Sequence, residues 1–382
     1  MKNKACYRRR IKIVRRSKKN LRCTIKRKNI RRNGRRPTRR YSRVQRGGVI
    51  ERVEAYELLK GTVVNSLCFS PDGNHLAIGS GDNLAHIFDV TSGADIKQIV
   101  HSDSVTSVCF SPDGNHLATA SGKCVYFYNA KNGDMLLQLD YDSKVDYICY
   151  SRDGELVAIC SGNFAYILKL DISQPSALAA TLYNNHGHTS PVRSVCFSSD
   201  KQYLAVASGK TAYIYDVVSG ICMSKFLYDN LVRCVGFSIT NLVTASGNFT
   251  YVYVINHQHD PDTGKIIAFY KEDHKFNHGN IVNSISINSE QDLVATGCSD
   301  GTARIFDIST DGVDAYERII HKDKDGAFFV RCVCLSPSTD NLIRIASGSS
   351  NGALISGLES SNIFSLRVKR TFQDLLKASE SE

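Results

Sequence analysis

The decapeptide CFSPDGNHLA occurs twice, at residues 68–77 and 109–118, an offset of 41. It sits in a longer pattern: an apolar lead-in (Val63, Val64), Ser-Pro-Asp-Gly, an apolar run, Ser-Gly, and alternating apolar residues ending in Phe88-Asp89. Seven copies can be followed by the apolar residue closing the first strand-like run: Phe69, Phe110, Tyr150, Phe197, Phe237, Ile287 and Leu335, at intervals of 41, 40, 47, 40, 50 and 48 residues. Each copy holds four short runs, expected in the first at 63–69, 75–79, 84–89 and 95–99. A period near forty with four strands per unit restricts the chain to a repeat architecture. A small sheet that is apolar on both faces is buried only by stacking against copies of itself around an axis. The expectation is therefore an all-β fold, a seven-bladed β-propeller of four-stranded antiparallel blades spanning residues 49–370.

Turn chemistry agrees. In Ser70-Pro71-Asp72-Gly73, proline presets φ, aspartate bonds its own turn backbone, and glycine takes a left-handed conformation. The long intervals coincide with polar insertions at 171–185, 257–264 and 311–324, which read as extended loops. A ring must also close so that no sheet edge stays open. Residues 52–59 alternate like an outer strand and are the natural closing strand, with 363–368 as the alternative. The last segment, 371–382, reads as a short tail in which Phe372, Leu375 and Leu376 would share one side of a helix.

Charge divides the chain. Of its 48 Lys and Arg residues, 22 fall within residues 1–48, where Asp and Glu are absent; 26 remain to face all 37 acids. Blocks such as Arg8-Arg9-Arg10, Lys26-Arg27-Lys28 and Arg35-Arg36 repel one another. Residues 1–48 are thus expected to be a disordered interaction arm, touching nucleic acid or an import carrier. A targeting presequence fits less well, because the arm has only two serines and lacks an apolar face. A solvated tail is the plain alternative. Thirteen cysteines would allow disulfides, yet Cys68, Cys109, Cys149, Cys196 and Cys334 share one repeat slot, which marks a packing position. Without an apolar export segment or a membrane-length apolar run, the thiols are expected to stay reduced.

The repeats resemble those of the WD-repeat β-propeller family. Phe88-Asp89, Tyr215-Asp216 and Phe306-Asp307 stand where that family carries its Trp-Asp pair, while the second and third copies have Tyr128-Asn129 and Leu168-Lys169. The resemblance implies a buried hydrogen-bond network, best kept as His278, Thr296, Asp300 and Phe306, with His101 and His188 retaining the loop histidine. It also places the residue after each leading valine near the channel mouth: Asn65, Thr106, Asp146, Arg193, Arg233, Asn283 and Arg331. Arg193, Arg233 and Arg331, with Leu231, Phe329, Asn65 and Asn283, are the candidate partner-binding residues, suited to an acidic or amphipathic peptide. The phrases 231–237, 329–335 and 188–215 are similar to the Tup/Groucho class of transcriptional corepressors.

Reactive constellations are not evident. Cys332 and Cys334 share a strand side but lack two further ligands, and His257, His259, Asp260 and Asp262 read as a solvated loop. Neither a phosphate loop nor a nucleophile elbow is present. The expectation is a non-enzymatic protein-interaction scaffold without metal or cofactor, located in the nucleus or alternatively the cytoplasm, acting as a Tup-like corepressor. The alternative is an RNA- or ribosome-associated factor whose arm grips phosphates.

Overall fold

The structure is a computed structural model that describes residues 39–43, 52–171, 178–259, 266–288, 290, 292–308, 317–320, 322–323, 326–337 and 342–359. The remainder of the basic arm, the alternative closing segment 363–368 and the tail 371–382 lie outside the described residues.

Seven antiparallel blade sheets follow one another along the chain, with a two-stranded ribbon of Lys322–Asp323 and Gly326–Ala327 between the last two. Blade 1 comprises Val64–Phe69, His75–Ser80, Leu84–Asp89 and Asp95–Val100, each within a residue of its expected bounds. Blade 2 runs Val105–Phe110, His116–Ser121, Cys124–Asn129 and Met135–Asp140; blade 3 runs Val145–Tyr150, Leu156–Ser161, Phe164–Asp171 and Ala179–Gly187. Blade 4 has Val192–Phe197, Tyr203–Ser208, Thr211–Asp216 and Cys222–Leu227, and blade 5 has Val232–Phe237, Asn241–Ser246, Phe249–His259 and Ile266–Asn277. Blade 6 has Val282–Asn288, Leu293–Cys298, Thr302–Asp307 and Glu317–Ile320. Blade 7 takes Val330–Leu335, Leu342–Ser349 and Gly352–Glu359 from its own stretch and its fourth strand, Arg52–Leu58, from before blade 1. The first strands pack side by side in order, that of blade 7 against that of blade 1, so the ring is closed.

The natural closing strand is the one used: Tyr56 pairs with Ile355 and Leu58 with Ala353. Arg39–Arg43, inside the stretch expected to be disordered, adds a fifth strand to that blade by pairing with Arg52–Leu58. All three insertions expected as loops are partly strand, Glu317–Ile320 within 311–324 being the fourth strand of blade 6. Residues 179–187 form the fourth strand of blade 3, and in blade 5 the third and fourth strands run on as a hairpin to the pair His259–Ile266. Ile255, Ile266, Ile267, Phe269 and Tyr270 are β-favouring residues that sustain the ladder beyond the blade body.

Each core lies between two blades. The seven leading valines, Val64, Val105, Val145, Val192, Val232, Val282 and Val330, are all fully buried. Each needs a small residue on the second strand of the preceding blade. A Cβ on Gly79 would lie 2.9 Å from Val105 Cγ1, and one on Gly297 would lie 2.7 Å from Val330 Cγ1. Alanine fills the same position in blades 2, 4 and 5 as Ala120, Ala207 and Ala245, all fully buried.

The inner strand is also a sheet edge, and its unpaired amides need acceptors. The preceding blade supplies them. Ser66 Oγ accepts from Val108 N at 3.0 Å, Ser107 Oγ from Ile148 N at 3.2 Å, Ser194 Oγ from Val235 N at 3.3 Å and Ser284 Oγ from Val333 N at 3.2 Å. Two residues further on, Cys68 Sγ accepts from Phe110 N at 3.4 Å, and Ser286 Oγ from Leu335 N at 3.0 Å. The repeated cysteine slot is thus a packing position and also an acceptor that staples one blade to the next.

The Ser-Pro-Asp-Gly turns close as their sequence dictates: Gly73 N donates to Ser70 O at 2.9 Å, Asn74 N donates to Asp72 Oδ1 at 3.1 Å, and Gly73 has φ +70°. Asp89 and Asp216, the second members of the aromatic-Asp pairs, each accept from a serine amide three residues on, at 2.7 Å, and fix the turn into the fourth strand.

Candidate functional site

All seven inner strands start at the same end of the ring, since each runs antiparallel to its second strand and every blade repeats that order. The residue after each leading valine therefore sits at that mouth, and the structure divides the seven into two groups. Asn65 Nδ2 donates to Val105 O at 3.0 Å, Thr106 Oγ1 to Val145 O at 2.7 Å and Asn283 Nδ2 to Val330 O at 2.9 Å. Each latches its blade to the leading valine of the next. Arg331 Nη1 donates to Asn65 Oδ1 at 3.1 Å, joining blade 7 to blade 1 through the same slot. Asn65, Asn283 and Arg331, expected to meet a partner, are thus engaged in holding the ring.

Blades 3, 4 and 5 carry Asp146, Arg193 and Arg233 in this slot. Among the described residues no side-chain hydrogen bond is donated by Arg193 or Arg233, and neither guanidinium has a carboxylate within 4.0 Å, Asp146 included. Arg193 is exposed and Arg233 half-buried. Just before the leading valines of blades 5, 6 and 7 stand Leu231, Ile281 and Phe329, with 44%, 37% and 60% of their surface exposed. Leu231 and Phe329 were legible in the sequence. Ile281 was missed, although it occupies the same register position.

Inside the channel, blade 3 has Tyr147 where four other blades have serine. It keeps 37% of its surface exposed, and desolvation together with the thiols of Cys149, Cys109, Cys196 and Cys234, one from each of four consecutive blades, pushes its phenol pKa up.

The expected network in blade 6 is wired differently. His278 stands edge-on to Phe306 at 5.3 Å, but its Nε2 bonds Thr250 Oγ1 of blade 5 at 3.0 Å, not Thr296. Its Nδ1 faces Arg304 Nη1 at 3.1 Å, and Arg304 Nη2 donates to Asp300 at 2.6 Å. Arg304 therefore stands between the histidine and the aspartate. Thr296 Oγ1 is left buried without a partner. His101 lies 3.4 Å from Thr119 Oγ1 and edge-on to Tyr128, and His188 packs edge-on to Tyr213 and Tyr215. Burial lowers the pKa of His101, His188 and His278 to about 4, assisted by His186 for His188 and by Arg304 for His278.

Blade 1 shows the opposite balance. Burial lowers the His86 pKa, but the hydrogen bond its Nδ1 donates to Asp95 (2.9 Å) and the charges of Asp95 and Asp82 (3.3 Å) outweigh it, so the net shift is upward. Burial also raises the thiol pKa values of Cys332 and Cys334, so both are poor nucleophiles. Among the described residues no group of three or more His, Cys, Asp or Glu is placed to hold a metal ion. His257 and His259 fall on a strand; Asp260 and Asp262 lie outside the described residues.

The family model of the WD domain, G-beta repeat, matches residues 56–89, 95–129, 179–216 and 270–307. Each match starts within the fourth strand of one blade and ends with the third strand of the next, so the repeat unit is offset from the blade by one strand, as ring closure requires. The fold is similar to the crystal structure of the Myceliophteria thermophila Cps50 (Swd1) β-propeller domain, with a TM-score of 0.65 at 12% identity over 84% of this chain and 99% of that one. Comparison with curated proteins gave no match. The repeats, the closed ring of seven blades and the four matched units together make this chain a member of the WD-repeat family, whose propellers are generally protein-interaction scaffolds.

Proposed function

We propose that the protein captures acidic or amphipathic segments of other proteins at the channel mouth, without altering them covalently. The observation that carries this reading is a pair of guanidiniums, Arg193 and Arg233, left without a carboxylate at a mouth bordered by exposed Leu231, Ile281 and Phe329. In a body that is otherwise net acidic, unpaired arginines with adjacent apolar surface suit forked hydrogen bonds to carboxylates plus apolar anchoring. Replacing Arg193, Arg233 and Arg331 with Glu should abolish partner capture in affinity purification while lowering stability only by the loss of the Arg331–Asn65 bond, about 0.5–1.5 kcal/mol. Capture that survives in the folded triple variant would refute it.

The process proposed is nuclear and of the corepressor type, supported by the arginine-rich arm as an import address and by the mouth-strand phrases at 231–237 and 329–335. The arm's 22 basic residues also support a second reading, in which it grips RNA phosphates. Binding would then fall steeply with salt and vanish on deleting residues 1–48, whereas an import address would need only a carrier protein.

A further inference from the structure

The latches at the mouth are interrupted on one side only. Slot residues join blades 1 to 2, 2 to 3, 6 to 7 and 7 to 1 by hydrogen bonds, whereas blades 3, 4 and 5 carry Asp146, Arg193 and Arg233, none of them latched. From this we infer that recognition is confined to the arc of blades 3 to 5 and selects an extended peptide with the charge order basic, acidic, acidic at alternate residues. The inference rests on the mouth reading above and narrows it.

Spacing supports the order. The inner strands of neighbouring blades approach within 8 Å between Cα atoms, and the Arg331–Asn65 bond shows that side chains in adjacent slots lie within mutual reach. In an extended peptide, side chains on one face repeat every two residues, about 6.6–6.8 Å. A segment lying along the arc therefore brings alternate side chains over consecutive slots. Arg193 and Arg233 call for two carboxylates, and Asp146 calls for a cation ahead of them. Leu231, exposed beside Arg233, favours an apolar residue next to the second acid. A uniformly acidic segment would set one carboxylate against Asp146, and a uniformly basic one would face two guanidiniums; the arc penalises both.

The test is fluorescence anisotropy of a labelled peptide, Gly-Lys-Ala-Glu-Ala-Glu-Leu-Gly, with the full chain at low salt. R193E and R233E should each weaken binding by at least about fivefold, and R193Q and R233Q serve if the reversals fold poorly. R331E should change it by less than about twofold, because that arginine stands on blade 7, outside the arc. D146K should reverse the preference, favouring the peptide in which Glu replaces Lys. If R331E weakens binding as much as R193E, confinement to the arc is wrong while the mouth reading stands. If the wild-type chain binds the Lys and Glu peptides equally, or binds neither, the charge order is wrong. The mouth reading itself falls only if the Arg193, Arg233 and Arg331 triple variant still captures partners.

Discussion

Removing a single oxygen should loosen the joint between two blades. Ser107 is 1% exposed, and its Oγ is the acceptor for the buried amide of Ile148 in blade 3. In S107A the amide loses a bond whose net worth is about 0.5–1.5 kcal/mol and, with water excluded, stays unsatisfied, which raises the cost to roughly 1–3 kcal/mol. The packing change is small, since one atom is removed, so the hydrogen-bond term dominates. Native-state hydrogen exchange reads the effect where it arises: the Ile148 amide should exchange roughly 5- to 140-fold faster, as 1–3 kcal/mol corresponds to that range. S107T keeps the oxygen and should retain protection, while S107C supplies the weaker sulfur acceptor and should fall between. Ser66, Ser194 and Ser284 do the same work at three other joints, so S66A combined with S194A, on blades 1 and 4, should be additive in urea. An Ile148 amide that exchanges in S107A as in the wild type, with an unchanged urea midpoint, would mean that the serine is not the staple.

At Gly352, φ is +118° and a Cβ would lie 2.7 Å from Leu58 O of the closing strand, so G352A should lower the melting temperature of a protein whose ring it forces apart. Deleting residues 1–58, which includes the closing strand, should leave blade 7 with an open edge and yield aggregated protein by size-exclusion chromatography, while deleting 1–38 should not. The upshifted His86 contributes stability that is complete below its unfolded pKa near 6.5 and is lost as pH rises through its higher folded value; H86Q should remove that alkaline-side decline in urea midpoint. The three histidines held to about 4 act in the opposite sense, costing stability as pH falls from about 6.5 toward 4. In the equivalent second-strand position of blades 5 and 6, T244V should cost about 1–2 kcal/mol by breaking the 2.7 Å bond to Tyr228, whereas T296V should be neutral or stabilising because its hydroxyl has no partner.

The ring was readable because its signals are local and repeated. Period-two alternation, Ser-Pro-Asp-Gly turns and the leading valines each specify backbone geometry over a few residues, and seven copies average out the irregular ones. The closing strand was readable for the same reason, since 52–58 alternates. The hairpin of blade 5 was misjudged because polar residues such as His257 and Gln258 resemble a loop, and what keeps them in register is the apolar run on the opposite strand, about ten residues away. Partner choices across blades were not readable at all. Nothing local says that Asn65 bonds Val105 or that Arg331 reaches Asn65, 266 residues earlier, because those contacts exist only once the ring has closed. The His278 network failed similarly: Arg304 stands at an ordinary outward strand position, yet its guanidinium comes between the two residues expected to act together.

These long-range choices separate stability from recognition. The slot side chains Asn65, Thr106 and Asn283 spend all their donors on latching and present none to a ligand, and a charged residue left unlatched contributes little to closure. Four joints carry slot latches, and the serine staples on blades 1, 2, 4 and 6 lie deeper along the same strands. The junctions from blade 3 to 4 and from 5 to 6 lack both a slot latch and a serine staple, having Tyr147 and Cys234 in the staple position. Cys234 partly compensates by donating to Asn283 O at 3.2 Å, but no such bond is made by Tyr147. The arc proposed to bind is therefore also the part of the ring with the fewest polar ties. A peptide lying across Asp146, Arg193 and Arg233 would bridge the two weakest junctions, so binding should raise protection of the Val195 and Ile285 amides more than that of Val108, and equal changes at all three would argue against an arc-specific ligand.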